Sequence, residues 1–157
     1  MTVSGVVRPP CLWLTGRRGA GKRTVAALAA AALHTDGHAC AVLDAEALTE
    51  HLAHGPRDGG LASLAWLANL LTANGVPVIV TVDTPERADR EPLRTAIAGF
   101  VEVLVDAPAD VCSARSGRED RGYETPIAPD LRVPTGDRDE RASAALLLSY
   151  VEALTAD

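Results

Sequence analysis

One glycine-rich turn constrains this chain more than any other feature of its sequence. The turn follows a short apolar run, Cys11 to Leu14, and precedes a long segment rich in alanine and leucine. Its residues are Gly16, Arg17, Arg18, Gly19, Ala20, Gly21, Lys22, Arg23 and Thr24. Lys22 is the only lysine of a chain that uses arginine elsewhere. A strand, a glycine loop with a lysine, and a helix are together typical of a phosphate-binding loop, in which backbone N–H groups and the lysine hold the phosphates.

The loop departs from the usual pattern at one position. The pattern G-x-x-x-x-G-K-[ST] places a hydroxyl directly after the lysine, where it binds Mg²⁺. Here Arg23 follows Lys22, and the hydroxyl comes one residue later, at Thr24. A guanidinium group offers only N–H donors, so Arg23 cannot ligate a metal ion. We predict nucleotide binding by residues 16–24 and take Thr24 as a candidate metal ligand. The simpler interpretation is a glycine turn between a strand and a helix, in which Arg17 and Arg18 are solvated surface.

Composition limits the classes of protein to which the chain can belong. A length of 157 residues predicts one domain over residues 1–157, with residues 1–9 as a flexible tail. The net charge of −6 argues against nonspecific nucleic-acid binding, which requires a basic face. No run of about 18 apolar residues is present, so we expect no membrane span. Three cysteines without metal-ligand spacing are expected to be buried free thiols, which suits a reducing cytoplasm.

Apolar runs alternate with helical patterns along the chain. We predict strands at residues 12–15, 39–43, 76–82 and 101–105, and a short one at 131–133. We predict helices at residues 22–34, 45–53, 61–73, 87–98, 109–115 and 140–154, and a loop at 55–60. This alternation predicts a three-layer α/β fold, with a mostly parallel, twisted sheet and helices on both faces. Ligands are then expected beyond the carboxyl ends of the strands.

Acidic residues follow the predicted strands at that same edge. Asp44 and Glu46 come after the second strand, Asp83 after the third, and Asp106 after the fourth. Asp44 and Glu46 are the best candidates to hold metal-bound water or to accept a proton from a hydroxyl group. The structural alternatives are that Asp44 caps the next helix and that Glu46 interacts with that helix's dipole.

Three arginines outside the loop are candidate ligand-binding residues. Arg87 and Arg90 begin a predicted helix, where they either clamp an anionic substrate or pair with neighbouring acids on a wet surface. Arg115 ends a short predicted helix, where it either contacts a nucleotide or serves as a favourable cation at the helix C-terminus.

Several motifs, in the order in which they occur, resemble the adenylylsulfate kinase family. The matching stretches are Trp13-Leu14-Thr15-Gly16, Gly19-Ala20-Gly21-Lys22, Asp44-Ala45-Glu46, residues 68–80, Thr84-Pro85-Glu86-Arg87-Ala88-Asp89-Arg90, Val105-Asp106-Ala107-Pro108 with Arg115, and Tyr123-Glu124 with Pro126. The segment from Thr84 to Arg90 is very similar to the family's Ser-Pro-Tyr-Arg-Ala-Asp-Arg. The resemblance runs along nearly the whole chain.

The resemblance implies a P-loop NTPase fold of the nucleoside-kinase type and a kinase of sulfate assimilation. Members transfer the γ-phosphate of ATP to the 3′-hydroxyl of adenylylsulfate, use Mg²⁺, and commonly form dimers. Lys22 and its loop would then hold ATP, with Arg115 near the base. Asp44 and Glu46 would interact with the metal ion and with the acceptor. The substrate-binding segment would include Thr84, Arg87 and Arg90.

The chain also departs from that family. Arg23 replaces the metal-binding serine, Glu46 replaces an aspartate, and the basic lid and several substrate-gripping residues are missing. Two hypotheses follow: a kinase acting on adenylylsulfate or a related small molecule, and a catalytically impaired nucleotide-binding homologue with a regulatory or scaffolding role.

Overall fold

The computed structural model of the protein describes residues 8–51, 60–120 and 122–155. Within these ranges, five strands form one sheet, and every neighbouring pair is parallel. The strands are β1 (Cys11–Thr15), β2 (Ala41–Asp44), β3 (Val78–Thr81), β4 (Phe100–Asp106) and β5 (Leu131–Pro134), in the spatial order β2-β3-β1-β4-β5. The predicted α/β class and parallel pairing are therefore confirmed.

Helices cover both faces of this sheet. They are α1 (Lys22–Thr35), α2 (Ala45–His51), α3 (Leu61–Ala73), α4 (Arg87–Arg90), α5 (Leu93–Ala96), α6 (Ala109–Ser116) and α7 (Glu140–Thr155). Among the described helices, none combines the length and apolar character that crossing a membrane requires.

The central strand β1 divides the core into two clusters. Leu12 and Leu14 pack on one side with apolar residues of α1, α6 and α7. Cys11 and Trp13 pack on the other side with apolar residues of α3 and α5. All five residues of β1 are buried, because a parallel strand that is covered on both faces has no side that faces solvent. This arrangement confirms the three-layer architecture.

The three cysteines are free and buried, as expected from their apolar surroundings. Burial raises the pKa of the Cys11 thiol to about 12 and that of Cys40 to about 11. Thiols with such pKa values stay protonated at neutral pH and are weak nucleophiles.

Most element boundaries agree with the sequence to within a few residues, with one clear error. The helix predicted at residues 87–98 is two short helices, α4 and α5. Pro92 separates them, because it has no N–H group to continue the helical hydrogen bonding. Parts of three other predictions lie outside the described residues: most of the tail at 1–9, the end of the helix at 45–53, and the loop at 55–60 apart from Gly60.

The glycine loop packs directly against the backbone of β4 and α6. A methyl group on Gly16 would overlap the carbonyl oxygen of Val105, and one on Gly19 would overlap that of Cys112. Both glycines have positive φ, 152° and 84°. Only glycine tolerates both the close contact and the positive φ. The absence of side chains at these two positions therefore allows the loop to lie against β4 and α6.

We predict that Gly19→Ala destabilises the protein more than Gly37→Ala does. Gly37 has a nearly identical φ of 80°, but no atom of the described part of the chain lies within 4 Å of the position that a methyl group would take. Gly37→Ala should therefore lower the free energy of unfolding only by the cost of placing alanine in the left-handed region, about 1–2 kcal/mol. The clash at Gly19 should add about 1–3 kcal/mol. Urea denaturation of both variants measures the difference, and equal losses would contradict the proposed packing.

Candidate active site

Lys22 is held inside the glycine loop. It is the first residue of α1, and only 8% of it is exposed. Its Nζ donates to the carbonyl oxygens of Gly16, at 2.7 Å, and Arg17, at 3.2 Å. It also forms an ion pair with Oδ1 of Asp83 at 3.0 Å. The ammonium group is thus fixed at the junction of the loop and the end of β3.

The start of α1 adds further positive character at this point. Gly21 is the N-cap, with φ of 97°, and within the described ranges no side chain caps the helix. The first turn of α1 contains no acidic residue. The N-terminus of a helix carries free N–H groups and partial positive charge, which together suit a phosphate group.

An open cleft of about 510 Å³ lies in front of the loop. It is bounded by the loop, by the end of β2 with the start of α2, and by the end of β3. The lining residues are Arg18, Gly19, Gly21, Lys22, Arg23, Thr24, Asp44, Ala45, Glu46, Thr49, Thr81, Val82 and Asp83. The cleft lies where the sequence places it, beyond the carboxyl ends of the strands.

Arg23 connects the start of α1 to the end of β2. Its Nε donates to Oδ2 of Asp44 at 2.7 Å and its Nη2 to Oδ1 at 3.0 Å, and Nη2 also contacts Glu46. Asp44 accepts two more hydrogen bonds, from the Ala47 amide at 2.8 Å and from the Thr81 hydroxyl at 2.7 Å. Burial opposes ionisation of Asp44, but these hydrogen bonds outweigh it and lower its pKa. The hydrogen bond to Asp44 raises the pKa of Arg23.

The predicted metal ligands have a donor set that does not fit a protein-held Mg²⁺. The Asp44 carboxylate is already engaged by Arg23 and two other donors, and Arg23 itself has no acceptor. Thr24 lines the cleft, but it lies one residue beyond the position at which the phosphate-loop pattern places the metal-binding hydroxyl. Within the described residues, no three His, Cys, Asp or Glu side chains come together as a metal site.

Asp83 is a site residue whose place at this edge of the sheet, but not its role, follows from the sequence. It pairs with Lys22 at 3.0 Å and with Arg18 at 3.1 Å. Burial raises the pKa of this carboxyl, but the charges of Lys22 and Arg18 outweigh burial and lower it. The available signal was its position after a continuous apolar strand, next in space to the strand that leads into the glycine loop.

Arg90 lies in the protein interior rather than in the cleft. It is 2% exposed, and its Nε donates to Glu102 at 3.2 Å. Its other nitrogens donate to the carbonyl oxygens of Thr84, Pro85 and Glu124. This guanidinium group therefore connects α4 to β4 and to the stretch of chain that contains Glu124.

Other predicted residues also lie outside the lining of the cleft. Thr84 is 4% exposed, and its hydroxyl has no hydrogen-bond partner among the residues that the structure describes. Arg87 is half-exposed and lies 3.7 Å from Glu124. Arg115 donates to the carbonyl oxygen of Thr135 at 3.0 Å. The Thr135 hydroxyl in turn donates to Ala20 in the glycine loop at 2.6 Å, a support that the sequence did not reveal.

The structure thus brings together one part of the predicted site. The members in the cleft are Arg18, Gly19, Gly21, Lys22, Arg23, Thr24, Asp44 and Glu46. The predicted residues that do not line it are Gly16, Arg17, Ala20, Thr84, Arg87, Arg90 and Arg115. Arg17 instead donates to the Asp120 carbonyl oxygen at 2.7 Å and lies over the ring of Tyr123, which also stacks under Arg90.

Comparison with known proteins identifies the family. The sequence model of adenylylsulphate kinase matches residues 8–134. Adenylyl-sulfate kinase of Rippkaea orientalis is 36% identical over 146 residues, which cover 79% of this chain and 81% of that protein. The structure of the Mycobacterium tuberculosis APS kinase CysC in complex with AMPPNP and APS is 28% identical, with a TM-score of 0.79 over 92% of this chain and 98% of that one.

A second solved structure, that of APE1195, superimposes with a TM-score of 0.84 at 27% identity, covering 96% of this chain and 98% of that chain. The P-loop kinase fold implied by the sequence resemblance is therefore confirmed. Because the family model spans most of the chain and the relatives match with this identity and coverage, the chain belongs to the adenylylsulphate kinase family.

Proposed function

We propose that this chain is an ATP-dependent kinase that transfers the γ-phosphate of ATP to the 3′-hydroxyl of adenylyl sulfate. The observation that carries the proposal is the fixed ammonium group of Lys22 at the N-terminus of α1, facing a cleft large enough for a nucleotide. Membership of the adenylylsulphate kinase family supplies the acceptor.

Phosphoryl transfer depends mainly on positioning of the phosphates and on electrostatic stabilisation of their charge, and little on covalent chemistry by the protein. The acceptor oxygen forms a bond to the γ-phosphorus while the bond from that phosphorus to the β–γ bridging oxygen breaks, and ADP leaves. Lys22, Arg18 and the N–H groups at the start of α1 hold the phosphates in this scheme. Mg²⁺ enters the proposal only as the counter-ion that ATP carries in solution, since the protein's donor set does not fit it.

Glu46 is the better candidate to receive the proton of the acceptor hydroxyl. Asp44 is engaged by four hydrogen bonds, which keep its pKa low and make it a weak base. The Glu46 side chain is 71% exposed, and within the described residues only Arg23 contacts it. We therefore assign Asp44 to positioning of Arg23 and Glu46 to the acceptor side of the cleft.

The regulatory alternative is not favoured. The curated relatives are kinases, and the chain retains the loop lysine and an acidic pair at the end of β2 and the start of α2. The lost lid and Arg23 alter how the cleft is closed and charged, and they do not remove the phosphate-binding elements.

We also propose a cytoplasmic homodimer acting on a small molecule. The free cysteines suit a reducing compartment. Trp66 and Leu70 lie one turn apart on α3 and are 66% and 44% exposed, which leaves apolar surface available for a second copy.

We predict that Lys22→Met abolishes ATP binding. Loss of the ammonium group removes a charge-assisted contact to the phosphates, so affinity should fall by at least about a hundredfold, or about 2.8 kcal/mol. Calorimetric titration with a non-hydrolysable ATP analogue measures this. Arg141→Met, which removes an exposed cation from α7, is the matched control and should bind normally. Unchanged affinity in Lys22→Met would refute the phosphate site.

We predict that Arg87 and Arg90 respond differently to the same substitution. Arg90→Met should lower the free energy of unfolding by about 3 kcal/mol or more, because it leaves buried acceptors without donors. Arg87→Met should change stability by less than about 1 kcal/mol, because its ion pair is exposed.

We propose that Arg87 contacts the acceptor, so Arg87→Met should raise KM for adenylyl sulfate about tenfold and leave KM for ATP unchanged. Thermal unfolding and steady-state kinetics separate the two effects. A normal KM in Arg87→Met would assign this arginine to the surface alone.

A further inference from the structure

The carboxylate of Asp44 has no lone pair left for a metal ion. Its Oδ1 accepts from Ala47 and Arg23, and its Oδ2 accepts from Arg23 and Thr81, at distances of 2.7 to 3.0 Å. A carboxylate has about four lone-pair sites, so these four hydrogen bonds fill it. Arg23 provides two of the four and thereby occupies the positions that a cation would need.

Arg23 also stands where the phosphate-loop pattern places the metal-binding hydroxyl. It directly follows Lys22, belongs to the first turn of α1, and lines the same cleft. Its side chain is 58% exposed, so a ligand can reach it. One fixed positive charge is therefore present at the point where the general pattern brings a divalent ion to the phosphates.

The guanidinium group has donors to spare. Nε and Nη2 make the contacts to Asp44 and Glu46, and Nη1 has no partner among the described residues. A guanidinium has five N–H donors, in a planar fork that matches phosphate oxygens. Its contact with Glu46 joins two exposed groups, so exchanging that carboxylate for a phosphate costs little.

We propose that Arg23 replaces the protein–metal contact of the phosphate site, so that this chain binds the nucleotide's phosphates without a metal ion bound to the protein. Asp44 holds the guanidinium in place. Nη1, together with the Nη2 donor that is released from Glu46, donates hydrogen bonds to the phosphate. This inference rests on the proposed function, since it assumes that the cleft takes ATP. It goes beyond that function in assigning to an arginine the charge that a hydroxyl-bound Mg²⁺ would supply.

The test compares binding of a non-hydrolysable ATP analogue in EDTA and in excess MgCl₂, by calorimetry. The protein as it stands should bind with affinities that agree within about threefold. Arg23→Ser restores the hydroxyl and frees two acceptor sites on Asp44. It should therefore bind at least about tenfold more tightly with Mg²⁺ than in EDTA.

Arg18→Ser is the matched control. Arg18 also lines the cleft and pairs with a carboxylate, and its side chain is 53% exposed against 58% for Arg23. Its loss should weaken binding by the same factor in both buffers and leave the ratio between them unchanged. Circular dichroism melting confirms that each variant is folded.

The outcomes distinguish this inference from the proposed function. Tight binding that is lost in EDTA would overturn the role of Arg23 and leave the kinase proposal intact. A rise in the Mg²⁺ ratio of Arg18→Ser equal to that of Arg23→Ser would also overturn it, because a general charge effect would then suffice. No binding of the unmodified chain in either buffer would refute the nucleotide site itself, and the inference with it.

Discussion

The buried ammonium group of Lys22 is the constraint on which the site depends. A lysine that is only 8% exposed needs partners for its charge, and the loop carbonyls with Asp83 supply them. Asp83 can reach Lys22 because β3 lies beside β1 in the sheet, although it comes two strands later in the chain. The strand order thus brings a carboxylate from a distant part of the sequence to the phosphate loop.

The first two residues of α1 tie the helix to two different strand ends. Lys22 pairs with Asp83 after β3, and Arg23 pairs with Asp44 at the end of β2. The opposite side of the loop is fixed by the close approach of Gly19 to α6 and by the hydrogen bond from Thr135 to Ala20. The loop is therefore held from both sides before any ligand arrives, which lowers the entropic cost of binding phosphates.

The sequence predicted the α/β architecture, the phosphate loop and the family from local signals. Each of these signals, a strand pattern, a helix pattern or the single lysine, is contained in a short stretch of the sequence. They could therefore be interpreted without knowing which distant residues are in contact. The split of the helix at residues 87–98 could have been anticipated from Pro92. Arg90 could not be assigned from its neighbours, because its partners Glu102 and Glu124 are distant in the chain. A charged residue inside the apolar strand β4 was the one available hint of a buried ion pair.

The charges in the cleft show why the residue after Lys22 matters so much. Arg18, Lys22 and Arg23 carry three positive charges, and Asp44, Glu46 and Asp83 carry three negative ones, so the side chains lining the cleft are formally neutral. A polyphosphate that enters must gain more from the cations than it loses to the carboxylates. A serine at position 23 would remove one positive charge and leave the side chains that line the cleft with a net negative charge, which repels phosphates. A divalent ion would then have to offset that charge. An arginine there neutralises Asp44 from within the chain. In our proposal the protein thus supplies its own positive charge to the polyphosphate and needs no metal ion for that purpose.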